Sequence, residues 1–170
     1  ITGKNVGINL DSVFTTLKDL KKPSDKPMNK NISMKLKNSF IHLSDKRKAI
    51  ADEINLQYYN EITTAQLLHK KGEAGFKLED NLFHVYGKGF GDKFMENLFA
   101  LSKFKKGNFD FSVQGNSDQY DGILFVKNTI VTKYKVLNNI LAFINTIPSL
   151  VTFSLPGYNK NGLVINSAYI

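Results

Sequence analysis

AIADEINLQYYNEITTAQLLHKKGEAGFKLEDNLFHVYGK, residues 49–88, carries the period on which the fold turns. In its first run, 49–59, Ile50, Ile54, Leu56 and Tyr58 fall on one side. Ala51, Glu53, Asn55 and Gln57 fall on the other, and Asp52 is a misfit on the apolar side. Alternation over such a span marks a half-buried strand, because successive side chains point to opposite faces. EITTAQLLHK, GEAGFKLED and NLFHVYGK follow as further strands, separated by Asn60, Lys71-Gly72 and Asp80-Asn81. Tight connections of these residue types join antiparallel neighbours, so the stretch reads as a meander with one apolar face.

Upstream the same period holds. In NISMKLKN (31–38), Ile32, Met34 and Leu36 alternate with Ser33, Lys35 and Lys37. Asn38-Ser39 reads as a turn, after which Ile41 and Leu43 continue. Lys4 to Leu10 sets Val6, Ile8 and Leu10 on one side, as a strand does. Asp11 to Leu20 admits two readings, a helical turn capped by Asp11 or Ser12 and an irregular strand. Lys21 to Lys30, with two prolines and dense charge, reads as an exposed loop.

Downstream the period changes twice. Phe94, Met95, Leu98, Phe99 and Leu101 recur at helical spacing, which predicts a helix near Asp92 to Ser102 with Asp92 as N-cap and Gly107 beyond its end. Alternation returns with Phe109, Phe111 and Val113, and QYDGILFVKNTIVTKY supplies one or two more strands. The chain then enters VLNNILAFINTIPSLVTFSLPGYN (136–159), which has no charged residue. Leu137, Ile140, Leu141 and Ile144 predict a helix over Leu137 to Ile147, stopped by Pro148. Its apolar length suits a membrane span, but Asn138, Asn139, Asn145 and two prolines are costly in lipid. A helix packed on an ordinary core and a helix set against or within an apolar groove both remain. The fold class is therefore α+β, mainly β: a curved antiparallel sheet whose meander forms an apolar groove, with two inserted helices.

Composition narrows the function classes. The 170 residues are long enough to bury a core. The opening ITGKNVGINL, without an initiator Met, and the closing NGLVINSAYI, which reads as an interrupted strand, suggest a piece of a longer chain. Net charge is +8, yet 22 of the 23 basic residues are lysine and Arg47 is the only arginine. Base readout and bidentate phosphate clamps favour arginine, so nucleic acid is not the expected partner. No cysteine is present, which removes disulfides and thiol chemistry. His42, His69 and His84 are dispersed, so no metal site is expected. Gly87, Gly89 and Gly91 lack phosphate-loop spacing and read instead as glycines easing a strand into a helix. Carboxylates are scattered too, with Asp118 and Asp121 flanking Tyr120 in a hairpin. An enzyme is not expected, and neither is a cofactor.

What remains is a large one-faced sheet. Its groove-lining candidates are Ile32, Met34 and Leu36, then Ile54, Leu56 and Tyr58, then Phe76 and Leu78. Phe109, Phe111 and Val113 follow from the next strand, and Ile140 and Ile144 from the second helix. Such a face suits acyl chains. Burial is worth roughly 0.8 kcal/mol per methylene, so about 14 carbons gain on the order of 11 kcal/mol gross.

The run from GKGFGDKFMENLFALSKFKKGNFDFSVQG through GILFVKNT to LNNILAFINTIPSL and PGYNKNG (87–162) resembles the C-terminal region of the AsmA-like proteins, nearest their YhdP branch. The likeness is best over 87–170, and the whole of 1–170 is then one segment of a longer β-groove protein. The resemblance implies a periplasmic protein of a Gram-negative envelope, held to the inner membrane by an anchor outside this segment. It implies phospholipid as the cargo, carried between inner and outer membrane, and a protein partner at 136–159 is compatible with it. The competing expectation is a structural or docking module of the envelope, with a closed β core and no lipid.

Overall fold

The computed structural model describes residues 1–20, 31–43, 47–99, 101, 104–116, 118–128 and 130–131. The expected helix Leu137 to Ile147, the rest of the charge-free segment and the loop 21–30 lie outside the described residues.

Over the described residues the chain forms a curved, unclosed, mainly β structure, as the period predicts, with two helices, of which the one at Asp92 is among the two expected and the one at Leu10 is not. Two short strands, β1 (Thr2–Lys4) and β2 (Gly7–Asn9), precede helix α1 (Leu10–Leu20). The meander follows as β3 (Ile32–His42), β4 (Lys48–Tyr59), β5 (Ile62–His69), β6 (Gly72–Glu79) and β7 (Leu82–Gly91). Then come α2 (Asp92–Phe99), β8 (Phe104–Lys105), β9 (Asn108–Gly115), β10 (Tyr120–Lys127) and β11 (Ile130–Val131). The nine-stranded sheet runs β1, β3, β4, β5, β6, β7, β9, β10, with β2 alongside β1 on β3, while β8 and β11 pair separately. From β3 to β10 all pairing is antiparallel, but β1 and β2 join β3 in parallel.

The turns follow the predicted chemistry with one shift. Asn60-Glu61 and Asp80-Asn81 have positive φ at both positions, the type I′ geometry that matches strand twist. The third turn is Lys70-Lys71 rather than Lys71-Gly72, since Gly72 already pairs with His69.

A line of irregular residues crosses the sheet, and it overturns four sequence expectations. Asn38 does not reverse the chain: β3 continues through it, with Asn38 in the left-handed region at φ 47°. Lys37 pairs with Glu53 and Ser39 with Ala51, so Asn38 and Asp52 sit opposite each other. At that level both strands change which parity faces the core. Leu36 is buried before the switch and Ser39 and Ile41 after it; Ala49 and Ala51 are buried on one side of Asp52, and Ile54, Leu56 and Tyr58 on the other. Ile50 is consequently 48% exposed instead of joining the apolar side. Asp52 is no apolar-side misfit either; its carboxylate points outward and accepts the Lys70 amide. On the neighbouring edge Asn5, φ 57°, splits what reads as one strand into β1 and β2 and leaves Val6 exposed while Ile8 is buried.

The same line reaches β7 as a bulge. Gly87 pairs with Phe111 and Phe90 with Phe109, so Lys88 and Gly89 together oppose Asp110. Gly89 has φ 71°, and a Cβ there would lie 2.8 Å from the Lys71 carbonyl oxygen. Only glycine meets both demands. The bulge aims Phe90 at the core, and β7 runs directly into α2.

Candidate functional site

The concave face of the sheet is almost wholly apolar, and two helices lie over it. α1 forms where the sequence left helix and strand both open. Its cap is Asn9, ahead of the expected Asp11 or Ser12: Asn9 Oδ1 accepts the Ser12 amide at 3.0 Å. Ser12, Thr15 and Thr16 are exposed, and Leu10 and Val13 pack toward the core.

α2 ends at Phe99, short of the expected Ser102, and is fastened at both ends. Asp92 accepts the Lys93 amide at 2.9 Å and the Lys106 amide at 3.3 Å. At the C-terminal end the Leu101 amide donates to the Met95 carbonyl at 3.2 Å, closing the turn across six residues. Arg47, just ahead of β4, donates from Nη1 to the Leu98 carbonyl at 3.1 Å. A cation on the last carbonyls suits the negative end of the helix dipole. Phe94, Met95 and Leu98 are the buried face, and the Phe94 ring stacks on Phe90 at 4.4 Å between centroids.

Between sheet and helices lies an apolar cavity of about 170 Å³. Its described lining residues are apolar or glycine except Gln66, whose exposed side chain belongs to the opposite face of β5, between Ala65 and Leu67. Of the sequence candidates, Met34, Ile54, Leu56, Phe76 and Phe111 line it. Leu36, Leu78, Phe109 and Val113 belong to the same buried cluster but sit away from the cavity wall. Ile32 and Tyr58 pack in a smaller cluster around Leu56, also off the wall. Ile140 and Ile144 lie outside the described residues. Sequence reasoning missed the wall contributed by Ile8, Leu10 and Val13 at one end and by Phe94, Leu98 and Phe99 at the other. The helical spacing of Phe94, Leu98 and Phe99 signalled a buried face, but not that this face closes over the sheet.

Phe111 holds its place through a close approach. A Cβ on Gly87, its cross-strand partner, would meet the Phe111 ring at 2.3 Å, so the ring lies over bare backbone. Phe99 meets the same ring edge-on at 6.0 Å.

Ionisable groups stand around this face rather than in it. Burial holds the His69 imidazole below its ordinary pKa of 6.5; Asp52 and the Ile50 backbone oppose that shift and Lys70 adds to it. Its ring lies 4.9 Å from Phe94, and its buried Nδ1 has no hydrogen-bond partner among the described residues. On the convex side Asp110 is held below the usual carboxylate range, first by the Lys127 ammonium at 2.9 Å and then by the Gly89 amide at 2.8 Å. His84 Nε2 contacts Ser112 Oγ at 3.1 Å, and His42 tilts against Phe40 on β3. The three imidazoles are thus spread over separate strands.

Among the described residues no group of three or more His, Cys, Asp or Glu is placed to hold a metal ion, and no helix is long and apolar enough to cross a membrane. Chemically the arrangement can desolvate hydrocarbon. Comparison with protein-family models, with curated proteins and with solved structures finds no match.

Proposed function

We propose that this chain is a lipid-holding segment of an envelope protein, in which the concave β face receives phospholipid acyl chains for passage between inner and outer membrane. The observation that carries the reading is the apolar cavity between the sheet and the two helices, whose described lining presents apolar side chains and glycine. Water gains nothing in such a space, and a hydrocarbon tail gains roughly 0.8 kcal/mol for each methylene it buries. The resemblance of residues 87–162 to the AsmA-like proteins supports the choice of phospholipid as cargo and of the periplasm as location, with an inner-membrane anchor outside this segment.

The size of the cavity favours a specific mode. An apolar cavity of roughly 150 Å³ takes a molecule the size of benzene. About 170 Å³ therefore houses the end of an acyl chain and leaves its remainder along the groove. The same figure favours, as a second reading, an envelope module with a closed core in which α2 roofs the sheet permanently.

Organic extraction of the protein purified from cells, followed by mass spectrometry, separates the two. Phospholipid co-purifying in fixed ratio with folded protein is the expected result. Folded protein free of lipid, and unable to take up a photoactivatable acyl lipid from vesicles, overturns the lipid reading.

A further inference from the structure

The two edges of the sheet are built differently. On one side β1 and β2 are three residues each, interrupted at Asn5, the short irregular kind of edge that discourages further pairing. On the other side β10 is a regular strand of eight residues, and among the described residues nothing pairs with its outer side. Its convex-face side chains are, in order, Asp121, Ile123, Phe125 and Lys127. Ile123 is 47% and Phe125 46% exposed, so an apolar pair stands on an open edge between two opposite charges.

That order is complementary to its own reverse. Setting a second β10 antiparallel, with Leu124 opposite Leu124 of the second copy, brings Asp121 opposite Lys127 and Ile123 opposite Phe125, each of them twice. Sliding the strands by two residues sets Asp121 against Phe125 or Lys127 against Ile123, leaving charges facing apolar groups. Sliding by one sets convex against concave side chains. One register therefore satisfies both the charges and the apolar pair. We propose that two copies of this chain join edge to edge through β10 in that register, about a two-fold axis perpendicular to the sheet. The contact is the same patch on both copies and closes on itself. Main-chain hydrogen bonds supply its affinity and the side-chain order its specificity. Leu124 of each copy then meets on the concave side, so the two apolar faces become one continuous surface.

The test is the mass of the full chain in solution, by light scattering and sedimentation over a concentration series. The wild type is expected to double in mass as concentration rises. Asp121→Lys alone and Lys127→Asp alone place like charges opposite each other twice and are expected to stay monomeric. An equimolar mixture of the two variants restores both pairs and is expected to return to twice the monomer mass. Lys127 also holds Asp110 within its own chain, so each variant is first checked by circular dichroism and thermal melting. Should a charge variant fail to fold, Phe125→Ser leaves every charge in place: a folded monomer supports the edge contact, and a folded dimer overturns it. A wild type monomeric at every soluble concentration also overturns it, and that is the outcome if residues 162–170 of the same chain occupy the edge.

Discussion

The Phe94 ring of α2 lies nearly parallel to Phe90 of β7, 18° between planes and 4.4 Å between centroids, and this stack seats the helix on the concave face. Phe90, aimed inward by the β7 bulge, and Phe94, on the inner side of α2, are both buried, and both line the cavity. Phe94→Ala removes the stack and the His69 contact together. The expected loss is about 3–5 kcal/mol, a fall in Tm on the order of 10 °C by thermal melting. The enlarged cavity is also expected to bind more of an apolar fluorescent dye in the folded state.

Phe111 tests the groove directly. Phe111→Asp puts a carboxylate on the apolar wall, where desolvation is expensive. If the wall is open to a ligand, the variant is expected to fold, with its carboxylate reaching solvent along the groove, and to carry less lipid. Melting and lipid content are read on one sample. A folded variant with full lipid defeats the assignment at this strand, and an unfolded one favours the closed core. Ser112→Phe, on the convex side, is the matched control. Asp110→Phe does not serve, because Asp110 ties the bulge to β10.

Asp110 is expected to contribute a pH-dependent part of the stability. Its carboxyl is held below 3.8 in the folded chain, so the folded state binds its proton less readily than the unfolded state. The contribution is therefore complete above about pH 3.8 and is lost as pH falls through the lower folded value. Asp110→Asn is expected to cost roughly 1 kcal/mol at neutral pH in urea denaturation, since the group is partly exposed, and to flatten the acid limb of the stability curve.

His69 acts in a higher window with the same sign. Burial keeps its pKa below 6.5, so between the folded value and 6.5 the unfolded chain binds a proton that the folded chain does not. Stability is full above about pH 6.5 and declines as pH falls below it. Tm followed from pH 8 to pH 5 is expected to show this decline in the wild type and to lose it in His69→Phe, which keeps an aromatic ring against Phe94. Substituting His42, His69 and His84 together at neutral pH is expected to leave lipid content unchanged, and a loss of lipid in a folded triple variant would count against a purely apolar site.

Alternation sufficed for strands β4 to β7 and β9 and for their antiparallel succession, and helical spacing for the helix at Asp92. Ile54, Leu56 and Tyr58, like Phe109, Phe111 and Val113, share a face because a strand repeats every two residues whatever surrounds it. The tight turns were readable from Asn60 and Asp80-Asn81 for the same local reason. Tertiary structure decided the rest. Nothing in the composition of β3 and β4 shows that Asn38 adopts a left-handed backbone, yet that one residue, set against Asp52, moves Ile50 to solvent and Ala51 to the core. Nor does the helical spacing of Phe94, Leu98 and Phe99 say which surface they meet. That depends on a bulge at Gly89 and on Arg47 reaching the end of α2 from 51 residues away in sequence. Period is a property of the local backbone and is written in neighbouring residues. Which apolar faces meet, and what space they leave between them, is set by contacts between residues far apart in the chain, and those only the folded sheet brings together.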